Sequence, residues 1–156
     1  MPTVGVVGQD GAFVANILKR LSSNKISCDE ISIVENSIPK VNVLVVTDIS
    51  DFLNQTIQTL DKSSFLLINA DDKNIFPFLK TNKAKLITYG FNSKACVTVS
   101  SATSEGVQVC LQRTFYGLDE EERLPQEFFV GGSEDPSLLL AASAAFIVVL
   151  NPSLCK

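Results

Sequence analysis

The architecture of this chain follows from its opening stretch, Thr3-Val4-Gly5-Val6-Val7-Gly8-Gln9-Asp10-Gly11-Ala12-Phe13. The run from Thr3 to Val7 is short and apolar, which predicts a buried strand. Beyond the glycines, apolar residues recur at the spacing of one helix face: Phe13, Val14, Ile17, Leu18 and Leu21. A strand, a glycine-containing turn and a helix form the first unit of an α/β sheet. In such sheets this turn is where nucleotide phosphates usually bind.

The turn after the first strand is therefore the candidate phosphate site. A P-loop continues with Lys and with Ser or Thr, which reach the phosphates and magnesium, but here Ala12 and Phe13 follow. The glycines are spaced G-x-x-G-x-x-G, which differs from the G-x-G-x-x-G of dinucleotide-binding proteins. The turn is interpreted either as a purely structural turn or as a weakened phosphate loop. Its candidate binding residues are Gly8, Gln9, Asp10 and Gly11.

Length and composition predict one globular domain over residues 1–156. Hydrophobic residues make up 46% of the chain and charged residues 19%, which is enough to bury a core. The net charge is −4 and no Lys/Arg cluster is present, which argues against nucleic acid or an anionic membrane as the partner. We expect a protein partner or a homo-oligomer, with a nucleotide as a further candidate ligand.

The cytoplasm is the location expected from the sequence. The start Met1-Pro2-Thr3 lacks the basic and apolar segments of a secretory signal. The longest apolar stretch, Leu138 to Leu150, is too short to span a bilayer. The cysteines are widely spaced, which favours reduced thiols over a disulfide framework or a zinc site. They are Cys28, Cys96, Cys110 and Cys155.

The chain contains no histidine. This excludes Ser-His-Asp and Cys-His catalysis, histidine metal ligands and the commonest general base near neutral pH. Any catalysis would rest on carboxylates, lysines, thiols or a bound metal.

Apolar runs alternate with helical patterns, which predicts a mostly parallel α/β sheet with helices on both faces. Between residues 95 and 130 the runs become short and alternating, which predicts a small antiparallel hairpin or meander. Further strands are predicted over Glu30–Val34, Val41–Thr47, Ser64–Asn69 and Lys85–Gly90, and helical segments up to Leu60 and over Ile75–Leu79.

Two features near the end of the chain are also interpretable. The acidic run Asp119 to Glu122 is interpreted as a solvated loop. Asp135 and Pro136 are typical of a helix N-cap and first helical position, and they predict a last helix that ends before Asn151-Pro152. Because this helix is apolar on all sides, it should be buried.

Three motifs occur in order along the chain: Val41-Asn42-Val43-Leu44-Val45-Val46-Thr47-Asp48-Ile49-Ser50-Asp51, Leu67-Ile68-Asn69-Ala70-Asp71-Asp72 and Leu86-Ile87-Thr88-Tyr89-Gly90. In order and spacing they resemble the strand running into Thr-Asn-Ile-Ser-Arg-Asp-His, the Val-Ile-Asn-Ala-Asp-Asp motif and the Val-Ile-Thr-Tyr-Gly strand of the Mur ligase central domain. The turn Val7 to Gly11 is similar to the phosphate loop of that domain, and Leu138 to Phe146 to its closing alanine-rich helix. The resemblance spans nearly the whole chain and implies that the sheet is P-loop-like.

The Mur ligase central domain binds ATP and magnesium and activates a carboxylate as an acyl phosphate for an incoming amine. The resemblance implies ATP and magnesium as the cofactors to consider, Asn69 and Asp72 as further nucleotide-binding residues, and Glu35 as a magnesium ligand.

The groups that carry the ligase chemistry differ in this chain. Ala12 stands in the position of the phosphate-loop lysine, and Phe13 in that of its hydroxyl partner. Phe52 or its neighbour replaces the histidine that helps to hold magnesium. Electrostatic positioning carries nearly all of phosphoryl transfer, so these losses should abolish turnover.

The resemblance and the missing catalytic groups lead to three hypotheses about function. The first is a non-catalytic Mur ligase-like domain that acts as an interaction or regulatory protein, linked to cell-envelope metabolism. The second is a nucleotide or small-metabolite binder that retains a weakened phosphate loop. The third, which the missing lysine disfavours most, is an active ATP-dependent amide ligase.

Overall fold

The computed structural model is an α/β domain built on one eight-stranded sheet. It describes residues 3–8, 10–24, 26–30, 41–47, 62–72 and 84–150. The helices are α1 (Gly11–Ser23) and α2 (Pro136–Val149). The strands are β1 (Thr3–Val7), β2 (Ser27–Glu30), β3 (Val43–Val46), β4 (Phe65–Asn69), β5 (Lys85–Tyr89), β6 (Val97–Thr103), β7 (Gly106–Leu111), β8 (Phe115–Tyr116), β9 (Glu122–Arg123) and β10 (Gln126–Gly131).

The order of strands across the sheet is β2-β1-β3-β4-β5-β6-β7-β10. Neighbours from β2 to β6 run parallel, and β6, β7 and β10 continue the same sheet as antiparallel strands. The predicted parallel sheet and the antiparallel part near residues 95–130 are both confirmed, whereas the P-loop-like character remains a prediction. Strands β8 and β9 form a separate small hairpin that the sequence pattern did not predict.

The parallel strands are buried on both faces, as their continuous apolar sequences predict. Every residue of β3, from Val43 to Val46, is fully buried, and β4 is buried from Phe65 to Ile68. Because adjacent residues of a strand point to opposite faces, this pattern requires cover on both sides of the sheet.

Helices α1 and α2 pack against each other and share one core with the sheet. Helix α1 buries the predicted face through Val14, Ile17 and Leu21 and ends at Asn24. Helix α2 is buried around most of its circumference and begins at Pro136 behind the N-cap Asp135, as predicted. The predicted helical segments up to Leu60 and over 75–79 lie outside the described residues.

Strand β2 differs from its prediction. The expected strand began at Glu30, whereas the observed strand begins at Ser27, because parallel pairing with β1 aligns Ser27 with Thr3 and Glu30 with Val6. Residues 31–40, which held the rest of the predicted strand, lie outside the described part of the chain. Asp119, Glu120 and Glu121 are exposed in the loop before β9, as predicted, whereas Glu122 is exposed but is the first residue of β9.

No helix in the described part of the chain is both long and apolar enough to cross a membrane.

Candidate functional site

The carboxyl ends of β3, β4 and β5 meet at one edge of the sheet, where the sequence placed its candidate site. The start of α1 and the start of α2 face the same edge, and together these segments enclose a cleft of about 50 Å³. Ligands of open α/β sheets bind in the crevice at this edge. The cleft is lined by Phe13, Thr47, Asn69, Asp71, Tyr89, Gly90, Phe91, Ser137 and Leu140.

The N-terminus of α1 is capped by the chain itself. The side chain of Asp10 accepts a hydrogen bond from the backbone N–H of Phe13 at 3.1 Å. The first N–H groups of a helix and its dipole can attract an anion by roughly 0.3 to 2 kcal/mol. At α1 the carboxylate of Asp10 takes up part of this capacity and would repel a second anion.

Helix α2 begins in the same way. The carboxylate of Asp135 accepts from the backbone N–H of Ser137 at 2.8 Å, and Ser137 lines the cleft. Both helix N-termini at this edge therefore carry a carboxylate of the chain where a phosphate would otherwise find free N–H donors.

Phe13 contributes an apolar side chain to the lining of the cleft. It projects from the first turn of α1, is partly buried and packs against the hydrophobic core. A P-loop has a Ser or Thr hydroxyl at this position for magnesium. Phe13 supplies apolar volume instead, and it has no oxygen that could bind a metal.

The turn after β4 is held closed by Asp71. Its carboxylate accepts from the backbone N–H of Phe91 at 2.7 Å and from that of Asn92 at 2.9 Å, so it joins the ends of β4 and β5. Gly90 has a φ of 156°, and a Cβ at this position would lie 2.9 Å from the Asp71 carboxylate. Glycine is required here both by its backbone conformation and by this close approach.

Asn69 also serves the same turn. Its side-chain oxygen accepts from the N–H of Asp71 at 2.9 Å, which is an Asx turn. At the floor of the cleft the hydroxyl of Tyr89 donates to the carbonyl of Val46 at 2.8 Å. These polar groups therefore make hydrogen bonds within the protein at the positions where a ligand would need them.

The structure thus brings only part of the predicted site together. Asn69 lines the cleft, while Gly8, Asp10 and Gly11 lie at the turn between β1 and α1, outside its lining. Asp72 is half-buried and follows the Asp71 turn. Gln9 and Glu35 lie outside the described residues, so their predicted roles remain predictions.

Metal ligation finds no support in the described ranges. No group of three or more His, Cys, Asp or Glu side chains within them could hold a metal ion. Among the cysteines whose side chains are described, Cys96 and Cys110 are free thiols. Burial raises the pKa of Cys96, although the positive charge of Arg113 acts to lower it. Burial also raises the pKa of Cys110, and the nearby carboxylate of Glu127 raises it further. Both thiols are therefore less ionised than an ordinary cysteine, which is unlike an activated nucleophile.

No family model matches this sequence, and no curated protein is significantly similar to it. The resemblance to Mur ligases consequently rests on the sequence motifs and their order along the chain.

Sequence reasoning missed Arg123, which is fully buried. Its guanidinium donates to the carbonyls of Ile147 and Val148 in the last turn of α2, at 2.8 Å and 3.4 Å. It also donates to the carboxylate of Asp119 at 2.9 Å and to the carbonyl of Glu121 at 3.0 Å. The only sequence signal was a single arginine four residues after an aspartate, at the end of an acidic run.

Proposed function

We propose that this chain is a non-catalytic, Mur ligase-like domain that acts by binding another protein chain. One observation carries the proposal: the helix N-termini at the carboxyl edge of the sheet are capped by Asp10 and Asp135. In an ATP-dependent ligase such N–H groups, a lysine and magnesium would neutralise the transferring phosphoryl group.

The lining of the cleft supports the same proposal. Phe13 contributes a phenyl ring, and Asp71 is engaged by two backbone N–H groups. The cleft of about 50 Å³ is far smaller than the roughly 300 to 1,000 Å³ typical of small-molecule pockets. The core around the cleft is nevertheless well packed, which favours a domain that keeps its fold for a role other than catalysis.

The ligase chemistry can be tested by phosphate release. With ATP and magnesium, the purified chain should release phosphate at the rate of the buffer alone. Turnover that disappears in an Asp72→Ala variant but persists in Asp71→Ala would contradict the proposal, because it would show that the predicted nucleotide residue is catalytic. The Asp71→Ala variant controls for general damage to the turn that both residues share.

A further inference from the structure

Strand β10 is the last strand of the described sheet, and no described strand pairs with its outer edge. The direction of each backbone group follows from the pairing with β7. Gly132 donates its N–H to Glu105 at 2.9 Å, and the ladder continues with Val130 opposite Val107 and Phe128 opposite Val109. In an antiparallel pair the direction alternates along the strand, so Glu127, Phe129 and Gly131 direct their N–H and C=O groups away from β7.

A side-chain contact confirms this direction independently. Arg20 donates from Nη2 to the carbonyl of Gly131 at 2.5 Å and forms an ion pair with Glu134 at 2.9 Å. The outward carbonyl at the end of β10 is therefore occupied. Among the described residues, Glu127 and Phe129 have no partner for their outward backbone groups, and Phe129 is 58% exposed.

An open groove lies beside this edge, on the face that α1 and α2 cover. It has a volume of about 370 Å³ and is lined by Phe128 and Val130 of β10 and by Ala142 and Phe146 of α2. A strand added to β10 would place alternate side chains over this groove. Main-chain pairing combined with pockets for alternate side chains is a recurring mode of protein recognition.

We propose that a second copy of this chain occupies the edge, with the two β10 strands antiparallel across a two-fold axis at Phe128. In this register Glu127 of each copy exchanges backbone hydrogen bonds with Phe129 of the other, so the two residues with open outward groups satisfy each other. The two Phe128 side chains meet on the groove side at the axis. This deepens the proposed function by naming its partner, but the contact does not depend on the state of the nucleotide cleft.

The ends of the strand fit the same register. Gly131, whose carbonyl is held by Arg20, falls opposite Pro125 of the second copy. Proline has no N–H to donate, so neither residue loses a backbone hydrogen bond in the pair.

The two neighbouring registers are disfavoured, one by repulsion between like charges and the other by a backbone carbonyl that already has a hydrogen-bond donor. A two-fold axis at Glu127 would set two carboxylates directly opposite each other, which destabilises a strand pair. An axis at Phe129 would set Glu127 opposite Gly131, whose carbonyl already accepts from Arg20. The axis at Phe128 avoids both conflicts.

Sedimentation equilibrium of the full chain tests the dimer, with Glu127→Pro and Glu127→Ala as a matched pair. The Pro variant removes an outward N–H without touching the ladder to β7, whereas the Ala variant keeps that N–H. We expect a dimer for the unmodified chain and for Glu127→Ala, and a dissociation constant raised about tenfold or more for Glu127→Pro. Melting temperatures measured alongside will verify that the variants are folded. If Glu127→Pro unfolds, Phe129→Lys replaces it as an edge-blocking variant, with the same expected loss of dimer.

Oxidative cross-linking tests the register. Phe128→Cys should form an intermolecular disulfide above the background of the unmodified chain, since directly opposed Cα atoms in such a pair lie about 4.5 Å apart. Phe129→Cys should not, because its counterpart lies diagonally at about 7 to 8 Å.

A monomer at every concentration, a Glu127→Pro variant that dimerises like the unmodified chain, or a disulfide formed through position 129 rather than 128 would each overturn the inference. A monomer would leave the phosphate-release result untouched, so failure of the dimer and failure of the proposed function are distinguishable.

Discussion

Arg123 carries a charge in a fully buried position, where an unpaired charge would be very costly. The protein accommodates it by placing the guanidinium against the last carbonyls of α2, at the negative end of the helix dipole. Gly117 leaves the space for this arrangement, since a Cβ there would collide with the guanidinium. Arg123 thereby joins the small hairpin of β8 and β9 to the end of α2.

We expect Arg123→Met to lower the free energy of unfolding by about 2 to 4 kcal/mol, because the carbonyl of Ile147 loses its charged donor in the interior. Urea denaturation measures the loss. Arg113→Met is the matched control, since it removes the same charge from an exposed side chain and should change stability by less than about 0.5 kcal/mol. Equal effects of the two substitutions would show that Arg123 contributes only its charge.

The same contact makes stability sensitive to acid. Burial acts to raise the pKa of Asp119, but hydrogen bonds from Arg123 and from the backbone of Glu121 outweigh it, and the net pKa is lowered from 3.8. Because the folded-state pKa lies below the unfolded one, the stabilisation is present above the unfolded pKa and is lost as pH falls through the folded value.

Asp119→Asn should therefore destabilise the protein at neutral pH, and the difference from the unmodified chain should shrink as pH falls below about 4. Urea denaturation between neutral pH and pH 2 gives the comparison. A difference that stays constant across this range would contradict an ionised Asp119 as the stabilising group. Glu122→Gln serves as a control for a neighbouring exposed carboxylate.

At the scale of secondary structure, Gly90 and Gly11 both lie at the end of an element, but only one of these positions requires glycine. Gly90 ends β5 with a φ of 156° and lies against Asp71, whereas Gly11 opens α1 with no atom within 4 Å of an added Cβ and without a positive φ. An alanine at position 11 would therefore meet neither a steric clash nor an unfavourable φ.

Gly90→Ala should accordingly lower the free energy of unfolding by about 1 to 3 kcal/mol, through backbone strain and displacement of Asp71. Gly11→Ala should leave stability unchanged or raise it by up to about 1 kcal/mol, since alanine favours a helix. The melting temperatures of both variants, compared with that of the unmodified chain, test these expectations. Destabilisation by Gly11→Ala as large as that by Gly90→Ala would mean that the turn from β1 to α1 is strained after all.

Most elements were predictable because local sequence alone specifies them. The continuous β-branched run at Val43–Val46 could only be a strand buried on both faces, and Asp135-Pro136 marks a helix start by its own chemistry. The two-residue strands β8 and β9 have no periodicity to detect. The start of β2 was misplaced because it depends on pairing with β1, which is a tertiary contact.

The candidate site was less predictable than the fold. Asn69 and Asp71 were visible as polar residues after a strand, but their hydrogen bonds to the next turn depend on how β4 and β5 align. Likewise, the burial of Arg123 depends on where α2 ends in space. The spacing of residues along the chain shows which side chains could bind a ligand. The folded structure shows which of these side chains already make hydrogen bonds within the protein.

At the scale of the whole molecule, one sheet presents two different edges. At its carboxyl edge, where open α/β sheets bind ligands, Phe13 lines a small cleft, and Asp10 and Asp135 cap the N-termini of α1 and α2. Among the described residues, the outward backbone groups of Glu127 and Phe129 at its lateral edge, on β10, have no partner, and an apolar groove lies beside them. This distribution is the basis for proposing protein association rather than nucleotide chemistry.

The most direct test is the melting temperature of the full chain with and without 1 mM ATP and magnesium. A site with a millimolar dissociation constant would stabilise the fold by RT ln 2, about 0.4 kcal/mol, or about one or two degrees for a domain of this size. We predict this small shift or none. A micromolar site would add about 4 kcal/mol and raise the melting temperature by about eight degrees or more. A shift of that size, lost in an Asn69→Ala variant that melts normally without nucleotide, would contradict the proposed function and show that the chain binds nucleotide.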